Sequence, residues 1–114
     1  MQEPGILYRV VNLVVGDGLS AAKKHDVEKW LPGKRHFREV TSMSHTTDVQ
    51  ARLGSRYRPE QGGPQQEVHV LDGTGVTDRS LIAILENLQD EEGSVVVPPV
   101  LERYGAPSRV GAAG

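Results

Sequence analysis

The chain contains no cysteine. That removes disulfide stapling, thiolate nucleophiles and cysteine-bound zinc from consideration. Aromatic residues are scarce, with one Trp, one Phe and three Tyr in 114 residues. Large aromatic cores are therefore excluded, and the apolar material is mostly Val and Leu. Charge of one sign is also lacking. Thirteen Lys and Arg stand against fifteen Asp and Glu, a formal net charge of -2. Such a balance exerts no long-range pull toward nucleic acid or anionic membrane, and no block of like charge reaches five residues. Long hydrophobic runs are absent too. The apolar stretch in "MQEPGILYRVVNLVVG" is far too short to span a bilayer as a helix. The same stretch lacks the basic lead and small-residue cleavage site of a signal peptide. The expectation is a cytoplasmic protein with no membrane association.

Glycine (13) and proline (7) are frequent and imply many turns. A chain of this length suggests one domain of marginal stability. Ile6 to Val15 is β-branched and apolar, and reads as a buried strand. "GDG" at 16–18 is a turn, and "LSAAKKH" at 19–25 fits either a helical turn or a bulged connection. "DVEKWLP" sets Val27, Lys29 and Leu31 on one side and Glu28 and Trp30 on the other. "RHFREVTS" alternates again, with Phe37, Glu39 and Thr41 opposite Arg38, Val40 and Ser42. With Pro32-Gly33 between them, the two runs predict an antiparallel hairpin or meander. Thr46 or Thr47 can cap a helix running to about Leu53, with Gln50 completing a capping box and Gly54 ending the helix. "PEQGGPQQ" is a polar loop, and "EVHVLDG" is a short strand. The clearest helix is "TDRSLIAILENLQDEEG", where Leu81, Ile84, Leu85 and Leu88 recur at spacings of three and four and Thr77 can cap. "GSVVVPPVL" is a last strand stopped by prolines. Residues 107–114 read as a flexible tail after a domain spanning 1–106.

Chemistry-bearing residues are few. Glu39 lies beside hydroxyls, and a carboxylate with a Ser three positions on can offer Mg²⁺ hard oxygen ligands. The plain alternative is a solvent-facing glutamate. Arg79 follows the glycine-bearing "DGTGVT" and could grip a phosphate with its rigid fork, or simply pack at the surface. The modest basic spot of Arg52, Arg56 and Arg58, with Tyr57, could touch RNA or ATP, but reads first as ordinary helix and loop surface. The four histidines never fall as H-x-x-x-H. Neither a GxxxxGK phosphate loop nor a GxSxG elbow occurs.

Read in order, "D-x-E-x-W-L-P-G", then "REVTS", then a glycine-rich turn leading through Arg79 to "AILEN" make a specific combination. Over roughly residues 7 to 104 the sequence resembles the C-terminal part of the catalytic domain of seryl-tRNA synthetase, a class II aminoacyl-tRNA synthetase. The resemblance implies an α+β fold, a partial class II antiparallel sheet with one or two flanking helices. It implies that Glu39 and Ser42 hold Mg²⁺ with the ATP phosphates, that Arg79 contacts the γ-phosphate as the catalytic arginine, and that Asp72 and Thr74 face the serine substrate. The family's motif 1, motif 2 and tRNA-binding arm have no counterpart in these residues. The expectation is therefore a truncated synthetase-like protein without complete ligase activity. A module that completes or regulates a full-length synthetase and an active ATP-dependent serine ligase are the alternatives. Serine and tRNA are partners by resemblance, and self-association or pairing with a synthetase subunit would cover open sheet edges. Local departures stand at Asp72 and His45, where the family carries asparagine, and at Leu53, where it carries arginine.

Overall fold

A computed structural model of the chain describes residues 5–14 and 21–111. The strands in chain order are β1 (Tyr8–Asn12), β2 (Lys23–Leu31), β3 (His36–Thr47), β4 (Arg56–Tyr57), β5 (Gln66–Glu67) and β6 (Val70–Gly73). Helix α1 (Asp78–Leu88), β7 (Val95–Val96), helix α2 (Pro99–Glu102) and β8 (Arg109–Val110) follow. Four strands form an antiparallel sheet in the order β1-β2-β3-β6, while β4-β5 and β7-β8 are separate two-stranded ribbons. The α+β expectation holds.

The chain divides into two compact units. One is built from the residues up to Arg9, from Val27–Val40 and from Val76 onward. The other comprises Val10–Asp26 and Thr41–Gly75. In the first unit the alternation of β2 decides the packing. Val27, Lys29 and Leu31 are buried, while Glu28 and Trp30 are half-buried. The hairpin between β2 and β3 closes through a 3-10 turn at Pro32–Lys34, where proline supplies the fixed φ of a first helical position. The N–H of Arg35, itself at φ 54°, bonds the Pro32 carbonyl. Gly33 donates its N–H to Glu86 Oε2 at 3.1 Å. A Cβ there would stand 3.2 Å from that oxygen, so the approach favours glycine. On α1 the buried residues are Ser80 and Ala83, and Asn87 donates to the Trp30 carbonyl. Small residues let the helix backbone approach closely. The leucine repeat is not the buried line, because Leu81, Ile82 and Leu85 are exposed. Ile6, Val27, Leu31, Val40, Ala83, Val95 and Val97 complete the core of this unit.

The second unit is ordered differently. β3 and β6 pair antiparallel with Ser44 opposite Asp72 and Met43 opposite Gly73, and the register shifts between His45 and Thr47. Thr46 is the inserted residue. It is buried, and its hydroxyl donates to the Val70 carbonyl. Thr47 takes φ 52° and donates to its neighbours' oxygens.

Several local expectations change. Thr46 and Thr47 do not cap a helix: β3 runs through both, and only a 3-10 turn at Ala51–Leu53 follows, ended by Gly54 at φ 136°. The bulge consumes the hydroxyls that would have capped. The stretch expected to be a buried strand is β1, whose Val10 is exposed along with the flanking Leu7 and Val14, because β1 lies at an edge of the sheet. Thr77 occupies the cap position of α1 but makes no side-chain cap bond. Arg109 and Val110, in the stretch read as a tail, form β8 and pair with β7. The "GDG" turn at 16–18 lies outside the described residues, and Lys23 to His25 belong to β2.

Candidate functional site

β3 carries Glu39 and Ser42 three residues apart, and the boundary between the two units falls between Val40 and Thr41. Each unit holds its own share of the candidate residues.

In the first unit, α1 begins at Asp78, so Arg79 stands in its opening turn. Arg79 Nη1 donates to the Glu39 backbone carbonyl at 3.2 Å and lies 3.8 Å from Glu39 Oε2. Thr77 donates its hydroxyl to the next carbonyl along, that of Val40. Two consecutive carbonyls of β3 are thus taken by side chains from the start of α1. A pocket of about 340 Å³ is lined by Glu39, Val40, Thr77, Asp78 and Arg79. Both charged partners keep water contact, with side-chain exposures of 61% for Arg79 and 42% for Glu39. An exposed pair of this kind contributes little to stability.

In the second unit, Ser42, Asp72 and Thr74 come together. Asp72 opposes Ser44 in the ladder, and Ser42 is two residues before Ser44 on β3. Residues opposite one another in an antiparallel pair share a face, as do residues two apart on one strand. The N–H of Thr74 continues the register onto the Ser42 carbonyl at 3.2 Å, and Thr41 donates its hydroxyl to the Thr74 carbonyl. Asp72 is exposed and makes no side-chain bond among the described residues.

Sequence reasoning did not single out Thr41 as a positioning residue, and it gave Thr77 a capping role it does not have. Their signal was indirect. The glycine-bearing "DGTGVT" offers few side chains for packing, so its course must be fixed by bonds from hydroxyls nearby.

Around these residues, the two-stranded ribbons and α1 accompany a four-stranded antiparallel sheet, and this α+β arrangement matches part of a seryl-tRNA synthetase structure. No family model matches the sequence. The solved seryl-tRNA synthetase from Pyrococcus horikoshii, complexed with ATP, superposes with a TM-score of 0.90 at 45% identity. The match covers 99% of this chain and 26% of that one. The cytoplasmic serine-tRNA ligase from Naegleria fowleri, in complex with AMP, gives a TM-score of 0.81 at 42% identity, over 99% of this chain and 27% of that one. Among curated proteins, the serine–tRNA ligase of Nitratidesulfovibrio vulgaris strain Miyazaki F is 48% identical over 107 residues, 91% of this chain and 25% of the relative. That of Rubrobacter xylanophilus is 53% identical over 102 residues, 87% of this chain and 24% of the relative. The chain is homologous to seryl-tRNA synthetase and spans about a quarter of the length of the relatives it matches. Among the described residues no helix is long and apolar enough to cross a membrane.

Proposed function

We propose that this chain forms the part of a seryl-tRNA synthetase catalytic domain that handles the ATP phosphates, and that the 114 residues alone do not complete serine activation. The observation that carries the reading is the Glu39–Arg79 arrangement: a carboxylate and a guanidinium 3.8 Å apart, both in contact with water, lining one pocket. The homologous Pyrococcus structure complexed with ATP supports it. In this reading Arg79 forks onto the γ-phosphate and exchanges Glu39 for phosphate oxygens. Glu39 and Ser42 would each offer an oxygen ligand to Mg²⁺. Their donor chemistry fits, since carboxylate and hydroxyl oxygens are hard ligands. Among the described residues no group of three or more His, Asp or Glu could hold a metal by itself, and in this reading phosphate oxygens and water would complete the set. Mg²⁺, when bound, neutralises charge on the triphosphate. The Asp72-Gly73-Thr74 segment would contact serine, with Asp72 and Thr74 as the polar groups. The reading carries with it serine and tRNA as partners of the whole ligase and a cytoplasmic location.

The test is an ATP titration of the chain with Mg²⁺, followed by residue-resolved NMR. Shifts at Glu39, Ser42 and Thr77 to Arg79 that vanish without Mg²⁺ support the reading. An unresponsive but well-dispersed spectrum overturns the nucleotide site. Serine-dependent ATP–pyrophosphate exchange by the chain alone is expected to be undetectable. Clear exchange would show instead an active ATP-dependent serine ligase.

A second reading is favoured by the exposed Leu81, Ile82 and Leu85 of α1: a module that pairs with itself or with a synthetase subunit. A strictly monomeric species at high concentration that captures no synthetase would defeat it.

A further inference from the structure

The first unit holds a second pocket, which shares Arg79 with the first but adds residues that the nucleotide reading does not use. It has a volume of about 280 Å³ and is lined by Leu31, Lys34, Arg38, Arg79 and Ile82. Three of its five lining residues are cations, and none is a carboxylate. Lys34 ends the 3-10 turn, and Arg38 lies on β3 next to Glu39. The side chains of Lys34 and Arg38 have no hydrogen-bond or ion-pair partner among the described residues. Among the described residues Arg79 meets the Glu39 carboxylate at 3.8 Å, besides its bond to the Glu39 backbone carbonyl. Glu86 accepts the Gly33 N–H at 3.1 Å and is not among the residues that line the pocket. The apolar lining is Leu31, itself buried, and the part-exposed Ile82.

This concentration of positive charge is out of keeping with a chain whose net charge is -2. Lys34 and Arg38, without partners among the described residues, stand in one concavity with Arg79, whose charge Glu39 offsets only at 3.8 Å; like charges so placed repel one another, and a multivalent anion relieves that repulsion. Two guanidinium forks and one ammonium present fixed N–H pairs that match phosphoryl oxygens better than a single carboxylate. We propose that Lys34, Arg38 and Arg79 form a binding pocket for a phosphoryl anion, either a free oligophosphate or the backbone phosphate of an RNA strand. The pocket does not depend on Mg²⁺ or on Glu39.

The experiment uses the full chain without Mg²⁺ and two probes, inorganic pyrophosphate and a short single-stranded RNA, with residue-resolved NMR as readout. The variant carries Lys34→Gln and Arg38→Gln, exposed positions outside the proposed nucleotide site, and its dispersed spectrum checks the fold. Pyrophosphate is expected to shift the Lys34, Arg38 and Ile82 amides, and the double variant to bind at least about ten-fold more weakly, given two lost charge-assisted contacts. If the source is RNA, the slope of log affinity against log salt falls by about 1.4 in the variant, since each neutralised single-strand phosphate contributes about 0.7. Arg38→Lys should restore part of the affinity. Pyrophosphate binding identifies a free-phosphate site, and tighter RNA binding with the lost slope identifies a backbone-phosphate site. Failure of both probes to bind, or equal affinity in the folded double variant, overturns the proposal. Because Mg²⁺ is absent and Glu39 is intact, that failure is distinguishable from failure of the ATP titration.

Discussion

The two compact units of this chain are held by different forces. In the first, Ile6, Val27, Leu31, Val40, Ala83, Val95 and Val97 are buried. In the second, Ala51 is the buried hydrophobic residue among those described, and the other buried groups are Asp26, Thr41 and Thr46. Apolar burial is additive and tolerant of small displacements. Bonds from threonine hydroxyls are directional, so they fix a backbone course at small net gain. The first unit can therefore carry most of the stability. The second fixes where Ser42, Asp72 and Thr74 lie by ladder and hydroxyl bonds. Amide hydrogens of the first unit's β2 and α1 segments should exchange more slowly than those of β4, β5 and β6.

The largest expected effect tests where the stability resides. Leu31 is 4% exposed and Leu71 is 79% exposed. Leu31→Ala should cost about 2–5 kcal/mol, the range for emptying a packed leucine site. Leu71→Ala should stay within about 0.5 kcal/mol. Urea unfolding of both variants reads the difference. For a domain of this size, with a total of about 5–15 kcal/mol, the first loss is a large share. Comparable losses at the two positions would abolish the contrast between the units.

Lys29 is the exception within the apolar unit, and the next prediction uses it. It is 1% exposed and lies on the buried face of β2, between Val27 and Leu31. Desolvation lowers its pKa below the usual 10.5. The folded chain therefore binds fewer protons at this site than the unfolded chain. Stability should rise as pH climbs through the lowered value toward the ordinary one, and the penalty is complete below both. Lys29→Met should raise stability by on the order of 1 kcal/mol near neutral pH, since a desolvated cation leaves the core face. It should also flatten the alkaline rise. Thermal melts at a series of pH values decide it, and an unchanged pH slope in the variant would assign that slope to another group.

The same division explains what the sequence revealed. Alternation on β2 and β3 and the Pro32-Gly33 turn were legible because period and turn chemistry are local. The motif order pointed to Glu39 with Arg79 and to Ser42 with Asp72 and Thr74, and the structure brings the members of each set close together; their part in binding stays with the proposal. Thr46 and Thr47 were misread because a bulge and a helix cap draw on the same residue types, and only the partner strand at Val70 decides between them. The outward leucines of α1 were hidden for a related reason. A helix repeat marks an apolar stripe but does not say which neighbour covers it, and here Ser80 and Ala83 make the close approach. Val10 gave no warning of exposure, because edge position is a property of the whole sheet.

The smallest expected effect bears on the Glu39–Arg79 pair. With side-chain exposures of 42% and 61% and a separation of 3.8 Å, the pair is screened by water, and surface pairs contribute about 0–1 kcal/mol. Glu39→Gln and Arg79→Gln should each change stability by less than about 0.5 kcal/mol. Both should nevertheless remove the Mg²⁺-dependent ATP response, because charge on these two groups serves a ligand rather than the fold. Urea unfolding and the ATP titration on the same samples separate the two quantities. If Arg79→Gln lowered stability by well over 1 kcal/mol, the bond from Arg79 to the Glu39 carbonyl would be a structural strut. The first unit would then owe part of its stability to the polar fastening that the contrast assigns to the second.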